Sequence, residues 1–186
     1  MIPAIPTDKM LRSTSGQSLV ELTLIVPFML LLVYGVVEVG SVISTYLTLT
    51  HTTREGANLT SRGTLPNTAL DAIIASAAPT IRNNNFGQWR VIYSHLIQNP
   101  ALPCPPKPCT YEVESQIIRG SLSHGSQIGL VGQTVNIPGI QDVDPNQTFH
   151  AIEIFYDYGP DALTFIGNSI NKIFYERTIF TNVSSS

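Results

Sequence analysis

Hydrophobic and polar positions follow three regimes along this chain. From Gly16 to Gly40 the sequence GQSLVELTLIVPFMLLLVYGVVEVG is almost continuous hydrocarbon, with Glu21 and Glu38 its only charges. After it the pattern becomes amphipathic: Val39, Ile43, Tyr46, Leu47 and Thr50 recur at helical spacing, with Ser, Thr and Arg54 on the other side. Nothing breaks the pattern before Gly56, and Gly63 with Pro66 closes it, so one long helix is predicted over residues 17–61. A second helix fits Asn67 to Thr80, with Asn67 as its N-cap and Leu70, Ile73, Ile74 and Ala77 as its buried stripe. The third regime reads as strands over Trp89–Ile97, Tyr111–Ile118, Ala151–Tyr158 and Ile173–Val183. In the third of these, Ile152, Ile154, Tyr156 and Tyr158 alternate with Glu153 and Asp157. Asn83 to Gly87 reads as a turn, Gly120–Gly139 as a loop or weak strand, and Asp161–Asn168 as a short helix. Helices first and strands later argue for an α+β fold, with an antiparallel sheet packed on the outer half of the long helix.

Length changes this picture little, since 186 residues suit one modest domain with an appendage. Charge changes it more. Charged residues are only 12% of the chain, and between Glu21 and Glu38 there are none. A helix needs about 20 apolar residues to cross a bilayer core, so the run spans if it extends to about Ile43. Lys9 and Arg12 precede it and no Lys or Arg follows until Arg54, which places the N-terminus in the cytoplasm and the rest outside. Pro27 lies inside the span, where neighbouring helices can satisfy the carbonyl it frees. The net charge of -3, with no basic block after Arg12, gives no sign of a nucleic-acid partner. Export makes a disulfide the first reading of Cys104 and Cys109, while two thiols with no nearby His make a poor metal site.

Glu21 sits where a charge is costly. One reading is a capping box, in which Ser18 and Glu21 satisfy free donors at a helix start. The other begins from Gly16, four residues, Glu21 and an apolar helix, which resembles the cleavage site of type IV prepilins and pseudopilins. The longer stretch, with Gly16, Gln17, Glu21, Pro27, Glu38, Gly40 and Arg54-Glu55-Gly56-Ala57, resembles the TadE-like pseudopilins of tight-adherence (Tad/Flp) pilus systems. Length separates the chain from the small major pilin and from the longer TadG-type relatives of those systems.

That resemblance implies a minor pilin-like subunit without catalysis or cofactor. Residues 1–16 would be a cytoplasmic leader removed by a membrane aspartic prepilin peptidase between Gly16 and Gln17. Residues 17–61 would form the long helix, transmembrane to about 43, and residues 62–186 the exported α+β domain. Glu21, then the fifth mature residue, would pair with the terminal ammonium of an adjacent subunit and set register. The protein would reside in the bacterial inner membrane, with pilin-like subunits and the assembly machinery as partners. Leu22 stands where such pseudopilins often carry an aromatic, and Gln17 where standard type IV pilins carry Phe.

Other constellations carry less. Asp142, Asp144, Asn146 and Glu153 imitate the spacing of a calcium loop, yet Gln147 replaces the glycine of its turn and a strand follows. Turn chemistry beside Pro145 explains the same residues. His51, His95, His124 and His150 have no metal spacing, and no nucleophile or phosphate-loop motif is present. The competing readings are a signal-anchored extracytoplasmic binding domain, with Glu21 only a helix cap, and a secreted protein whose apolar run is removed. The second lacks a small-residue cleavage site after the run.

Overall fold

A computed structural model describes residues 14–62, 66–82, 89–99, 101, 109–135, 137, 147–158 and 173–181. Helix α1 covers Thr14–Ser61 and α2 covers Pro66–Arg82. Five strands follow: β1 Trp89–Gln98, β2 Tyr111–Gly120, β3 Thr134–Val135, β4 Phe149–Asp157 and β5 Ile173–Thr181. The turn at Asn83 to Gly87 and the short helix at Asp161–Asn168 expected from sequence lie outside the described residues. The chain thus consists of an N-terminal apolar helix followed by a helix-and-sheet domain. Compact packing divides it into residues 1–42 and 43–186, with the division inside α1.

In the first unit, every side chain from Gln17 to Val37 is exposed. α1 is the one helix among the described residues long and apolar enough to cross a membrane. It continues through Pro27, whose missing N–H leaves the carbonyl four residues earlier, at Thr23, without its usual donor.

The second unit is built on a sheet of order β3-β2-β1-β4-β5, antiparallel at every pairing. The central strands β1 and β4 run in register with Tyr93 opposite Ile152 and His95 opposite His150. Strand alternation therefore puts Val91, Tyr93, His95, His150, Ile152 and Ile154 on one face, and Ile92, Ser94, Ala151, Glu153 and Phe155 on the other. β4 is buried along almost its whole length, so both faces are covered.

Helices cover the first face. The outer part of α1 buries Thr45, Leu49, Thr52, Thr53, Gly56, Ala57 and Thr60. This is not the stripe that hydrophobicity alone selects: Val39, Ile43, Tyr46 and Leu47 stay about half exposed on the opposite side. Small residues leave room there for side chains that reach α1 from α2 and β4. A methyl group at Gly56 would come within 2.6 Å of Ile73 Cγ1 and 3.0 Å of Ile152 Cδ1, so α1, α2 and β4 meet at a position that only glycine fills. Gly56 is a packing notch inside the helix and not its end. The buried threonines satisfy their hydroxyls locally, Thr53 Oγ1 donating to the Leu49 carbonyl and Thr60 Oγ1 to the Gly56 carbonyl. On α2, Leu70, Ile73 and Ala77 are buried as the 3.6-residue period requires, and Ile74 is half-buried. α2 starts at Pro66, and Asn67 falls in its first turn, where its Oδ1 accepts from Arg119 Nη2 at 2.9 Å and does not cap the helix.

The second face is covered by the β2–β3 connection, which folds back so that Leu122 packs with Ile92 and Phe155. Ile128 joins Leu96, Cys109, Tyr111, Val113, Val135 and Phe149 in the larger cluster.

Candidate functional site

Two places combine polar chemistry with a position that needs explaining. The first is the start of α1. The helix begins at Thr14, so Ser18 and Glu21 stand inside it and not at its start, which removes the capping-box geometry in the full chain. Glu21 instead accepts a hydrogen bond through Oε1 from Gln17 Nε2 at 3.1 Å, one helical turn earlier. Gly16 has open space around it, with no atom within 4 Å of where a Cβ would lie. Glu38, at the other end of the uncharged run, is half-buried. What this segment offers is a carboxylate at the edge of a fully exposed apolar helix, with one oxygen engaged within its own turn.

The second place is a row of aromatic and ionisable side chains on the helix-covered face of the sheet. Tyr93 Oη lies 2.5 Å from His150 Nδ1. His95 stacks on His150 with ring centroids 4.7 Å apart and planes at 17°, and Phe180 stacks on the other side of His150 at 5.4 Å. His95 Nδ1 reaches Glu114 Oε2 at 2.6 Å near the surface. Burial, with the neighbouring His95 second, lowers His150 to about 4, and burial pushes Tyr93 up to about 12. The proton between them therefore belongs to Tyr93, which donates to Nδ1 and leaves the His150 proton on Nε2. That Nε2 is buried and has no hydrogen-bond partner among the described residues. Parallel stacked imidazoles aim their lone pairs side by side and not at one point, so the pair does not chelate an ion. Among the described residues, no group of three or more His, Cys, Asp or Glu is placed to hold a metal.

The residues singled out by sequence fall in different parts of the chain. Gly16, Gln17 and Glu21 lie on one helix, and Cys109 and Glu153 in the sheet domain. Cys109 is buried and disulfide-bonded, while Cys104 lies outside the described residues. Asp142, Asp144 and Asn146 lie outside them as well. Glu153 is fully buried, and its carboxylate accepts from Ser126 Oγ, from the Gln127 backbone N–H at 2.9 Å and from Tyr175 Oη at 2.9 Å. Those donors satisfy its oxygens. Burial, and next the Glu153 charge, push the Tyr175 phenol well above its usual range, which keeps it a donor. The histidine row was not visible in the sequence, because Tyr93 and His95 share a face by alternation but only strand register sets them against His150.

Residues 16–58 match the family model for TadE-like protein. The TadE-like match begins at Gly16 and takes in Gln17, Glu21, Pro27, Glu38, Gly40 and Arg54 to Ala57, all on α1. It ends before α2 and leaves the sheet outside it. Searches of curated proteins and of solved structures returned no match for this chain. The TadE-like segment and the exposed apolar helix support a pilin-like or membrane-anchored role in general terms.

Proposed function

We propose that this chain is a pilin-like assembly subunit, a TadE-like minor pseudopilin of a Tad/Flp-type pilus. Its leader, residues 1–16, is cut by a prepilin peptidase on the cytoplasmic side, so that Gln17 becomes the mature N-terminus. The apolar helix anchors the subunit in the inner membrane by a single pass to about residue 43, with the sheet domain outside. Other pilin-like subunits and the assembly machinery are its partners, and adherence is the end result. The export side is oxidising enough to keep a bond between Cys104 and Cys109.

The observation that carries this reading is Glu21 itself. It stands at the head of a helix whose side chains are exposed from Gln17 to Val37, within a segment whose family match starts at the expected cleavage residue. A lone charge within a membrane helix costs on the order of 2.5–3.5 kcal/mol on insertion scales. Pairing with an ammonium on a neighbouring chain offsets that cost and at the same time fixes the offset between packed helices, since a shifted neighbour leaves both charges unpaired.

N-terminal sequencing and mass measurement of the protein from its membrane test the reading. A chain beginning at Gln17 and keeping its apolar helix is expected. Gly16→Ala blocks processing, and Glu21→Ala is processed yet assembles into pili poorly. An intact Met1 makes the protein a simple anchored domain, and normal pili from Glu21→Ala remove the pairing argument.

A further inference from the structure

We propose that Gln17, once it is the mature N-terminus, is a self-modification site: it closes to a pyroglutamyl ring wherever its amine is not held by Glu21. The inference rests on cleavage after Gly16, as proposed above, and on the side-chain chemistry found at the start of α1.

An N-terminal glutamine carries its own electrophile. The neutral α-amine attacks Cδ of the side-chain amide and a five-membered lactam forms. The new bond joins the α-nitrogen to Cδ, and the Cδ–Nε2 bond breaks. The α-nitrogen passes a proton to the departing group, which leaves as ammonia. No oxidant, reductant or second substrate is required. Only the free amine reacts, because an ammonium has no lone pair to offer.

Glu21 bears on both reacting groups. In the structure its Oε1 already accepts from Gln17 Nε2, the nitrogen that must leave. Its Oε2 has no hydrogen bond among the described residues and is open to an ammonium. A paired subunit thus has its amide held by its own Glu21 and its amine kept protonated by the neighbour's. Both contacts oppose ring closure. A subunit without a neighbour keeps at most the first of them.

The consequence is a one-way change of state. The lactam nitrogen is neutral, so a cyclised subunit brings no charge to answer a Glu21 and cannot set register by that pair. Removal of a terminal charge by modification changes helix-end electrostatics in the same sense. Correctly paired subunits keep the reactive end intact, and stray ones are retired from assembly.

Mass spectrometry of the N-terminal peptide, from protein extracted with detergent from cells carrying the matching peptidase and pilus subunits, tests this. The wild-type protein is expected to start at Gln17 with a minor share lighter by one ammonia and blocked to sequencing. In Glu21→Ala that share is expected to rise several-fold, and in Gln17→Asn, which cannot form the five-membered ring, to disappear. Equal shares in wild type and Glu21→Ala, or a free amine throughout, overturn the inference while leaving cleavage intact. A chain that retains Met1 to Gly16 overturns cleavage, and with it the ring closure.

Discussion

At the scale of single residues, the two buried ionisable side chains of β4 show opposite solutions to one problem. Glu153 is kept inside the sheet by three donors and so remains satisfied. His150 is kept inside by giving up its charge, with one ring nitrogen bonded to Tyr93 and the other without a partner among the described residues. The second arrangement makes stability depend on pH. His150 is lowered from 6.5 to about 4 in the folded protein, so on acidification the unfolded chain takes up its proton first. Stability contributed by neutral His150 is therefore complete above pH 6.5 and lost as pH falls toward 4, by roughly 1–3 kcal/mol. Denaturant unfolding at pH 7 and pH 4.5 is expected to show a larger loss in the wild type than in Tyr93→Phe/His150→Phe, which replaces both partners by apolar rings; equal losses would exclude His150 as the cause. Of these residues, the sequence disclosed Glu153 as a polar position, with Asp157, in an apolar alternation and as the last position of a calcium-like spacing. Its burial depends on Ser126, Gln127 and Leu122 in a connection that read as a flexible glycine- and serine-rich loop.

At the scale of elements, most of the fold was legible and the faces were not. Helix and strand positions follow from local period, so α1, α2, β1, β2, β4 and β5 fall within a few residues of their expected spans. Which side of α1 packs on the sheet is a different question, decided by distance of approach. The larger stripe through Ile43, Tyr46 and Leu47 is the more apolar, yet the stripe through Thr45, Leu49, Thr53, Gly56 and Thr60 is buried, because the missing side chain at Gly56 leaves room for Ile73 and Ile152. The start of α1 was open between a cap and a cleavage motif, and the helix beginning at Thr14 disposes of the cap in the full chain. The notch at Gly56 gives a direct test. Gly56→Val places its first carbon within 2.6 Å of Ile73 Cγ1 and adds two methyl groups beyond it. Overpacking of this kind costs typically about 1–3 kcal/mol, and a β-branched residue adds a smaller helix penalty. A fall in the unfolding midpoint of the sheet domain is expected, with partial recovery on adding Ile73→Ala; no fall would mean that α1 does not seat here.

At the scale of the whole molecule, the packing division at Val42/Ile43 and the change of chemistry at the end of the apolar run nearly coincide, so the two parts of one helix differ in surface chemistry. Before that point its side chains are exposed hydrocarbon, suited to lipid or to other apolar helices. After it, one side belongs to the core of the sheet domain. This makes the outer part of α1 a member of that domain, although the family match assigns it to the N-terminal segment. Leu49 is fully buried, and Gly56 lies against Ile73 and Ile152. Burying each large aliphatic side chain contributes about 1.5–3 kcal/mol. Loss of cover from Leu49, Ile73 and Ile152 together is thus comparable with the whole stability of a small domain, about 5–15 kcal/mol. A shortened chain of residues 43–186 is therefore expected to unfold in a single cooperative transition without detergent, with its disulfide intact. Residues 62–186 alone are expected to give no such transition and to bind a hydrophobic dye. Cooperative unfolding of the shorter piece would show that the sheet completes its core without α1, and that the small-residue stripe serves another contact.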